Sequence, residues 1–197
     1  KDPAFNNPAK PIGPFFTERE AKLISKELNW KMQEDAGRGW RHVVASPKPK
    51  HICDISLIEA LSKRGTVVIS GGGGGIPVVR GPKGVREGIA AVIDKDLTSA
   101  KMASVLKFDL MMILTSVPKV AINFGRRNQR DLNIISLSEI KILLSEGHFL
   151  PGSMGPKIEA AIKFLEEGGR RVIIGPLGQA LNALNGDTGT HILHDVK

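Results

Sequence analysis

The sequence has one cysteine, no tyrosine and only 5% aromatic residues among its 197. A single thiol, Cys53, excludes an intrachain disulfide and any zinc site built on several cysteines, and it fits a reducing compartment. With so few rings to stack on bases, no RNP-like run and no zinc-finger spacing, a nucleic-acid partner is not expected. No apolar run approaches the ~20 residues that cross a bilayer, and no charged-then-apolar leader opens the chain. A membrane partner is therefore not expected, and the cytoplasm is the expected compartment. The first residue is Lys1 rather than Met, as in a trimmed or partial chain. The five histidines make no convincing metal set: His191 and His194 stand three apart with no carboxylate completing a triad, so no metal ligand is assigned. A nucleophile elbow and a Cys–His pair are both missing, which leaves hydrolase chemistry without support.

Acidic charge is also in short supply. Twenty Asp and Glu face 28 Lys and Arg, a formal net charge of +8. That surplus leaves two readings open, a polyanionic partner such as a phosphorylated small molecule, or simply a well-solvated basic surface. The 22 glycines and 12 prolines run high but follow no period, and no internal repeat is visible.

What the chain does have is rhythm. Residues 1–16 are rich in Pro and Asn and read as a loop. "TEREAKLISKEL" places Thr17 and Glu20 in capping-box register and predicts a helix. A glycine turn, a short strand and the stretch "SPKPK" follow, so residues 1–50 read as a small subdomain and 51–197 as the main domain. There, "DISLIEALSKR" predicts a helix with Asp54 as N-cap, and "TVVIS" (66–70) a buried-type strand running into five glycines. "DLTSAKMASVLKF" reads as helix, "LMMILTS" and "VAINF" as strands, and "SLSEIKILLSEG" as a helix with a Ser136–Glu139 capping box. A helix from Pro156 to Glu167 carries Ile158, Ala161, Ile162 and Leu165 on one face. "RVIIG", "LGQALNAL" and "NGDTGTHIL" then read as strand, short helix and final strand. Strands of four to seven residues alternating with helices predict a largely parallel α/β sandwich.

Three places hold candidate chemistry. The run Gly71–Gly75 follows a predicted strand, where backbone amides free of side chains can approach a phosphate. It is neither a Walker A loop, since no Gly-Lys-Ser/Thr follows, nor the dinucleotide fingerprint, since Ile76 stands where the third glycine belongs. A flexible turn is the alternative. Lys95 and Asp96 open a predicted helix, where Asp96 is either a simple N-cap or half of a charged constellation. Lys157 is the odd residue: a cation in the first turn of a helix, where the macrodipole prefers anions. With Ser153 and Pro156 shaping the helix entry, its ammonium and the free amides suit an anion such as a phosphoryl group in transfer.

Seven segments occur here in order: "NPAKPIGPF", "QEDAGRGWRHVVASPKPK", "ISGGGGGIPVV", "AVIDKDL", "ILTSV", "INFG" and "EGHFLPGSMGPKIEAAIKF". Over essentially the whole chain they resemble carbamate kinase, a branch of the amino acid kinase superfamily. The resemblance implies a three-layer α/β sandwich with a mainly parallel central sheet and a protruding subdomain. It implies ATP:carbamate phosphotransfer, in which carbamoyl phosphate and ADP interconvert with carbamate and ATP, Mg²⁺ riding on the nucleotide. It also implies a homodimer and a role in arginine catabolism. Carried over by position, Lys95, Lys157 and Lys10 match catalytic lysines, with Lys10 on the protruding subdomain, and Asp96 the aspartate that holds the lysines in place. Gly72, Gly73, Gly74, Thr115, Phe124, Ser153 and Met154 fall in segments around the nucleotide and its phosphates. Phe124 replaces the family's usual Tyr, Pro118 stands where the family usually has Asp, and Gly71 replaces a small side chain. The family's "GGNA" and "GNGPQ" segments, which bind the carbamoyl phosphate end, have no counterpart. Two other readings stay open: another small-acid kinase, disfavoured by "GHFLPGSMGPK", and a non-catalytic nucleotide- or partner-binding fragment.

Overall fold

The computed structural model describes residues 2–35, 37–150 and 152–195, so Pro151 of "GHFLPGSMGPK" lies outside the described residues. The elements run β1 (Lys10–Phe16), α1 (Glu18–Leu28), β2 (Met32–Glu34), β3 (Trp40–Val44), α2 (Ile55–Lys63), β4 (Val78–Arg80), β5 (Arg86–Gly88) and α3 (Lys95–Val105). They continue with β6 (Leu110–Thr115), β7 (Ala121–Ile122), β8 (Arg130–Asp131), β9 (Ile134–Ser136) and α4 (Leu137–Ser145). Last come α5 (Met154–Glu166), β10 (Arg171–Pro176), α6 (Ala180–Asn185) and β11 (Thr190–Leu193). Two compact units result, Lys1–Pro49 with Gly71–Lys95, and Lys50–Ser70 with Asp96–Lys197. The first break falls in "SPKPK", and the glycine run groups with the first unit.

In the first unit a three-stranded antiparallel sheet has the order β1-β3-β2. Helix α1 packs on it. The predicted capping box closes α1: the Thr17 and Glu20 backbone N–H groups each donate to the other's side chain, and Asn29 ends the helix in the left-handed region. Residues 10–16, expected as loop, are instead strand β1. Pro11 and Pro14 hide its period, yet on the edge of a sheet a missing N–H costs little. The register shifts between Ile12 and Phe16, around Gly13 at φ 70°.

The second unit centres on a four-stranded sheet of order β6-β10-β11-β9. β6/β10 and β11/β9 are parallel, and β10/β11 antiparallel, so the sheet is mixed. Met111 and Ile113 of β6 alternate inward with Val172 and Ile174 of β10 and Ile192 of β11, packing with α3, α4 and α5 into one core. The predicted stripe of α5 is buried, and so are Ala160 and Phe164 beyond it, making this a core helix rather than a half-exposed one. The Ser136–Glu139 capping box of α4 is present, whereas Asp54 makes no side-chain cap to α2. A second prediction fails outright. "TVVIS" is not a strand, and Val67 and Ile69 are 90% and 97% exposed. A strand exists only in a pairing, and no described strand offers this segment one. Among the described residues no helix is long and apolar enough to cross a membrane.

Candidate functional site

Asp94, Lys95 and Asp96 stand where the first unit ends and the second begins, at the head of α3. Asp94 and Asp96 are buried, 8% and 6% exposed, while Lys95 between them is exposed. A buried carboxylate requires compensating charge. In the second unit Asp96 has it: Lys157 Nζ lies 2.8 Å from Asp96 Oδ2, with side chains 13% and 8% exposed. In the first unit, Lys10 Nζ lies 2.8 Å from Asp94 Oδ2.

The 157–96 pair answers the puzzle of a cation in the first turn of a helix. Lys157 is the fourth residue of α5, and the anion that offsets the helix dipole is supplied by the chain itself. Asp96, second in α3, sits at the helix end that favours its own charge. Ser153 occupies the N-cap of α5 but makes no side-chain cap bond, so its expected shaping role passes to the backbone. The N–H groups of Ser153 and Gly155 both donate to the Leu150 carbonyl, and a Cβ on Gly155 would stand 3.1 Å from that oxygen.

The glycine run is exposed apart from Gly74, which is half-buried, and its composition has a backbone cause. Gly71, Gly72, Gly73 and Gly75 all have positive φ, and a Cβ on Gly74 would fall 1.8 Å from the Ile93 carbonyl oxygen. Thr115 ends β6, its carbonyl accepting the Leu177 N–H at 2.9 Å. Phe124 is 58% exposed in the turn after β7. Met154 packs against the edge of the core. The i, i+3 histidines are engaged separately: His191 is buried with Nε2 lacking a partner among the described residues, while His194 Nε2 is 2.8 Å from the Gly169 carbonyl.

Of the sequence-predicted residues, the structure pairs Asp96 with Lys157. Lys10 is paired with a residue that sequence reasoning did not single out, Asp94. The signal that could have found it is the D-x-D spacing at the helix head, which repeats the charge of Asp96 two residues earlier.

The model of the amino acid kinase family matches residues 10–176, and the chain belongs to that family. Its relatives include carbamate kinase of Thermococcus kodakarensis, 48% identical over 194 residues, 98% of this chain and 61% of that protein. Another is the carbamate kinase-like protein YqeA of Escherichia coli, 50% identical over 192 residues, 97% of this chain and 61% of that protein. The solved structure of carbamate kinase from Giardia lamblia bound to AMP-PNP is similar with a TM-score of 0.86 at 48% identity, covering 99% of this chain and 62% of that one. The chain thus spans about three fifths of the length of these relatives.

Proposed function

We propose that the protein is a carbamate kinase, transferring a phosphoryl group between carbamoyl phosphate and ADP to give carbamate and ATP. The buried Lys157–Asp96 pair is the observation that carries this reading. A phosphoryl group in transfer spreads negative charge over its equatorial oxygens, and the protein's task is to hold positive charge where that develops. A lysine on a flexible stem does this poorly. Asp96, buried and 2.8 Å away, takes one of the ammonium's three donors and fixes the group, leaving two for phosphate oxygens.

Lys95 and Lys10 serve the same reaction, as the resemblance to carbamate kinase implies. Gly72, Gly73 and Gly74 present backbone to phosphate, and Thr115, Phe124, Ser153 and Met154 line the nucleotide. Phe124 keeps a ring there without a hydroxyl. Among the described residues no three His, Cys, Asp or Glu gather to hold an ion. Mg²⁺ belongs to the substrate in this proposal, bound mainly by nucleotide phosphates and water, as suits an ion that dehydrates reluctantly. The reading extends to a three-layer sandwich with a mainly parallel central sheet, a lid in residues 1–50, nucleotide binding in 51–197, a cytoplasmic homodimer, and ATP-forming arginine catabolism. A second reading, a nucleotide-binding or partner-binding fragment without turnover, is favoured by the exposure of Val67 and Ile69.

The test is ATP formation from carbamoyl phosphate, ADP and Mg²⁺, run on the 197-residue chain and on the full-length protein. ATP from the chain alone rejects the second reading. Lys157→Ala in the full-length protein is expected to lower kcat by about two to three powers of ten, the scale of losing one preorganised donor. The structure adds a control, because this variant takes the 2.8 Å ammonium partner away from a buried carboxylate. Lys157→Ala combined with Asp96→Ala should recover thermal stability and stay inactive. A Lys157→Ala enzyme turning over at the wild-type rate ends the proposal.

A further inference from the structure

We infer that Asp94 is a positioning residue for Lys10, so that the two aspartates flanking Lys95 divide the work: Asp94 holds Lys10, and Asp96 holds Lys157. The inference rests on the carbamate kinase reading and adds to it a residue with its own partner.

Three observations in the first unit carry it. The ion pair is close, 2.8 Å from Lys10 Nζ to Asp94 Oδ2, and the carboxylate is more withdrawn from water than the ammonium, at 11% against 30% side-chain exposure. A carboxylate that deep is a fixed point for a partially exposed lysine. Next, the backbone brings the two residues together by pairing: Lys10 stands opposite Val44 in the β1–β3 register, Ala45 bridges to Ala91, and the Val92 N–H donates to the Ala45 carbonyl at 2.9 Å. Residues 91–94 are thereby tied to the same strand that Lys10 pairs with. Finally, the glycine run closes on this segment from another direction, since the Ile93 carbonyl lies where a Cβ on Gly74 would be. Asp94 follows directly. Its position is set from two directions, while the Lys10 side chain has four rotatable bonds and only its ammonium to anchor it. With one N–H donated to Asp94, two remain for anionic oxygens.

The experiment uses the full-length enzyme and steady-state kinetics in both substrates. Asp94→Ala is expected to lower kcat/KM for carbamoyl phosphate by about a hundredfold, the scale of an ångström misplacement, with KM for ADP within about twofold, since Lys10 serves the carbamoyl phosphate end in this reading. Asp94→Asn, which still accepts a hydrogen bond, should recover part of the loss. The double variant Lys10→Ala with Asp94→Ala should be no worse than Lys10→Ala alone, because residues acting as a unit do not add. A second readout needs no turnover: acetylation of Lys10 by acetic anhydride, followed by mass spectrometry, should be several-fold faster in Asp94→Asn with Lys157 unchanged. A wild-type enzyme that makes no ATP overturns the proposed function and this inference with it. An active wild type overturns the inference alone if the two losses multiply, if KM for ADP rises as much as that for carbamoyl phosphate, or if Lys10 acetylates at the same rate in Asp94→Asn.

Discussion

Both units hold a lysine against a buried aspartate, but they are built with very different amounts of apolar packing. In the first unit the buried hydrophobic side chains among the described residues are Ala21, Val43 and Ala45. In the second, α3, α4, α5, β6, β10 and β11 converge on a continuous core with Ile140, Ile158, Phe164, Val172 and Ile192 at or near zero exposure. Lys157 therefore rides on a helix locked by its neighbours, whereas Lys10 begins an edge strand of a thinly packed sheet. The first unit depends more on polar ties. Asp35 pairs with both Arg38 and Arg41, whose guanidiniums lie 5.1 and 5.0 Å from the Phe15 ring, and Trp30 stacks on His42 at 4.2 Å. A unit with little buried area has less stability to lose and responds more to pH and to single polar changes.

The largest effect is expected from glycine substitutions that force a Cβ into each unit. On Gly169 it would fall 2.3–2.5 Å from three atoms of the Phe164 ring, which is fully buried and cannot swing away. Gly169→Ala should cost about 1–3 kcal/mol, as overpacking does, and appear in the far-UV CD melt, most of whose helix belongs to the second unit. Gly74→Ala meets the Ile93 backbone oxygen instead. Its effect should appear in tryptophan fluorescence, because both tryptophans, Trp30 and Trp40, lie in the first unit. Equal shifts in both signals for both variants would show that the units do not differ as described.

The two capping boxes allow a finer comparison, since the local chemistry is the same. Thr17→Ala and Ser136→Ala should each cost about 1 kcal/mol. The consequence should differ: α1 buries only Ala21 and should fray, whereas α4 is retained by buried Leu137 and Ile140. Amide hydrogen exchange along each helix checks this, and equal protection losses would remove the distinction.

Acid gives the smallest and most selective effect. Burial holds the His42 imidazole below its ordinary 6.5, so the folded first unit binds fewer protons there than the unfolded chain. That contribution is complete above pH 6.5 and is lost as pH falls through the folded value. For Asp35, burial works to raise the carboxyl, but the Arg38 and Arg41 guanidiniums outweigh it and hold the group below 3.8. Its stabilisation persists to lower pH and disappears as the depressed pKa is crossed. Tryptophan fluorescence should therefore report a first-unit destabilisation starting below pH 6.5, and His42→Phe should remove that step. A pH-independent signal down to pH 5 would contradict it.

Legibility in the sequence followed the range of the interactions involved. Both capping boxes, the α5 stripe and the strands β6 and β10 came from residues three or four apart in a helix or alternating in a strand, so the local pattern was sufficient. β1 was hidden because proline suppresses strand signals, yet an edge position accepts it. "TVVIS" failed for the opposite reason: its β pattern is strong, but pairing requires a neighbour. Lys95, Asp96 and Lys157 stood out as charges at predicted helix heads, a local feature, whereas Lys10 was legible only through family resemblance and Asp94 not at all.

By itself, the sequence determined caps, helix faces, the basic surplus and the glycine run. Those depend on nearest neighbours and on composition, which are written directly in the order of residues. Only the tertiary structure decided that Lys157 faces Asp96 from 61 residues away and that Lys10 faces Asp94 from 84. A charge pair between such distant positions leaves no periodic trace, because its geometry is set by how strands and helices pack. The packing makes each burial affordable by placing the countercharge within hydrogen-bonding reach.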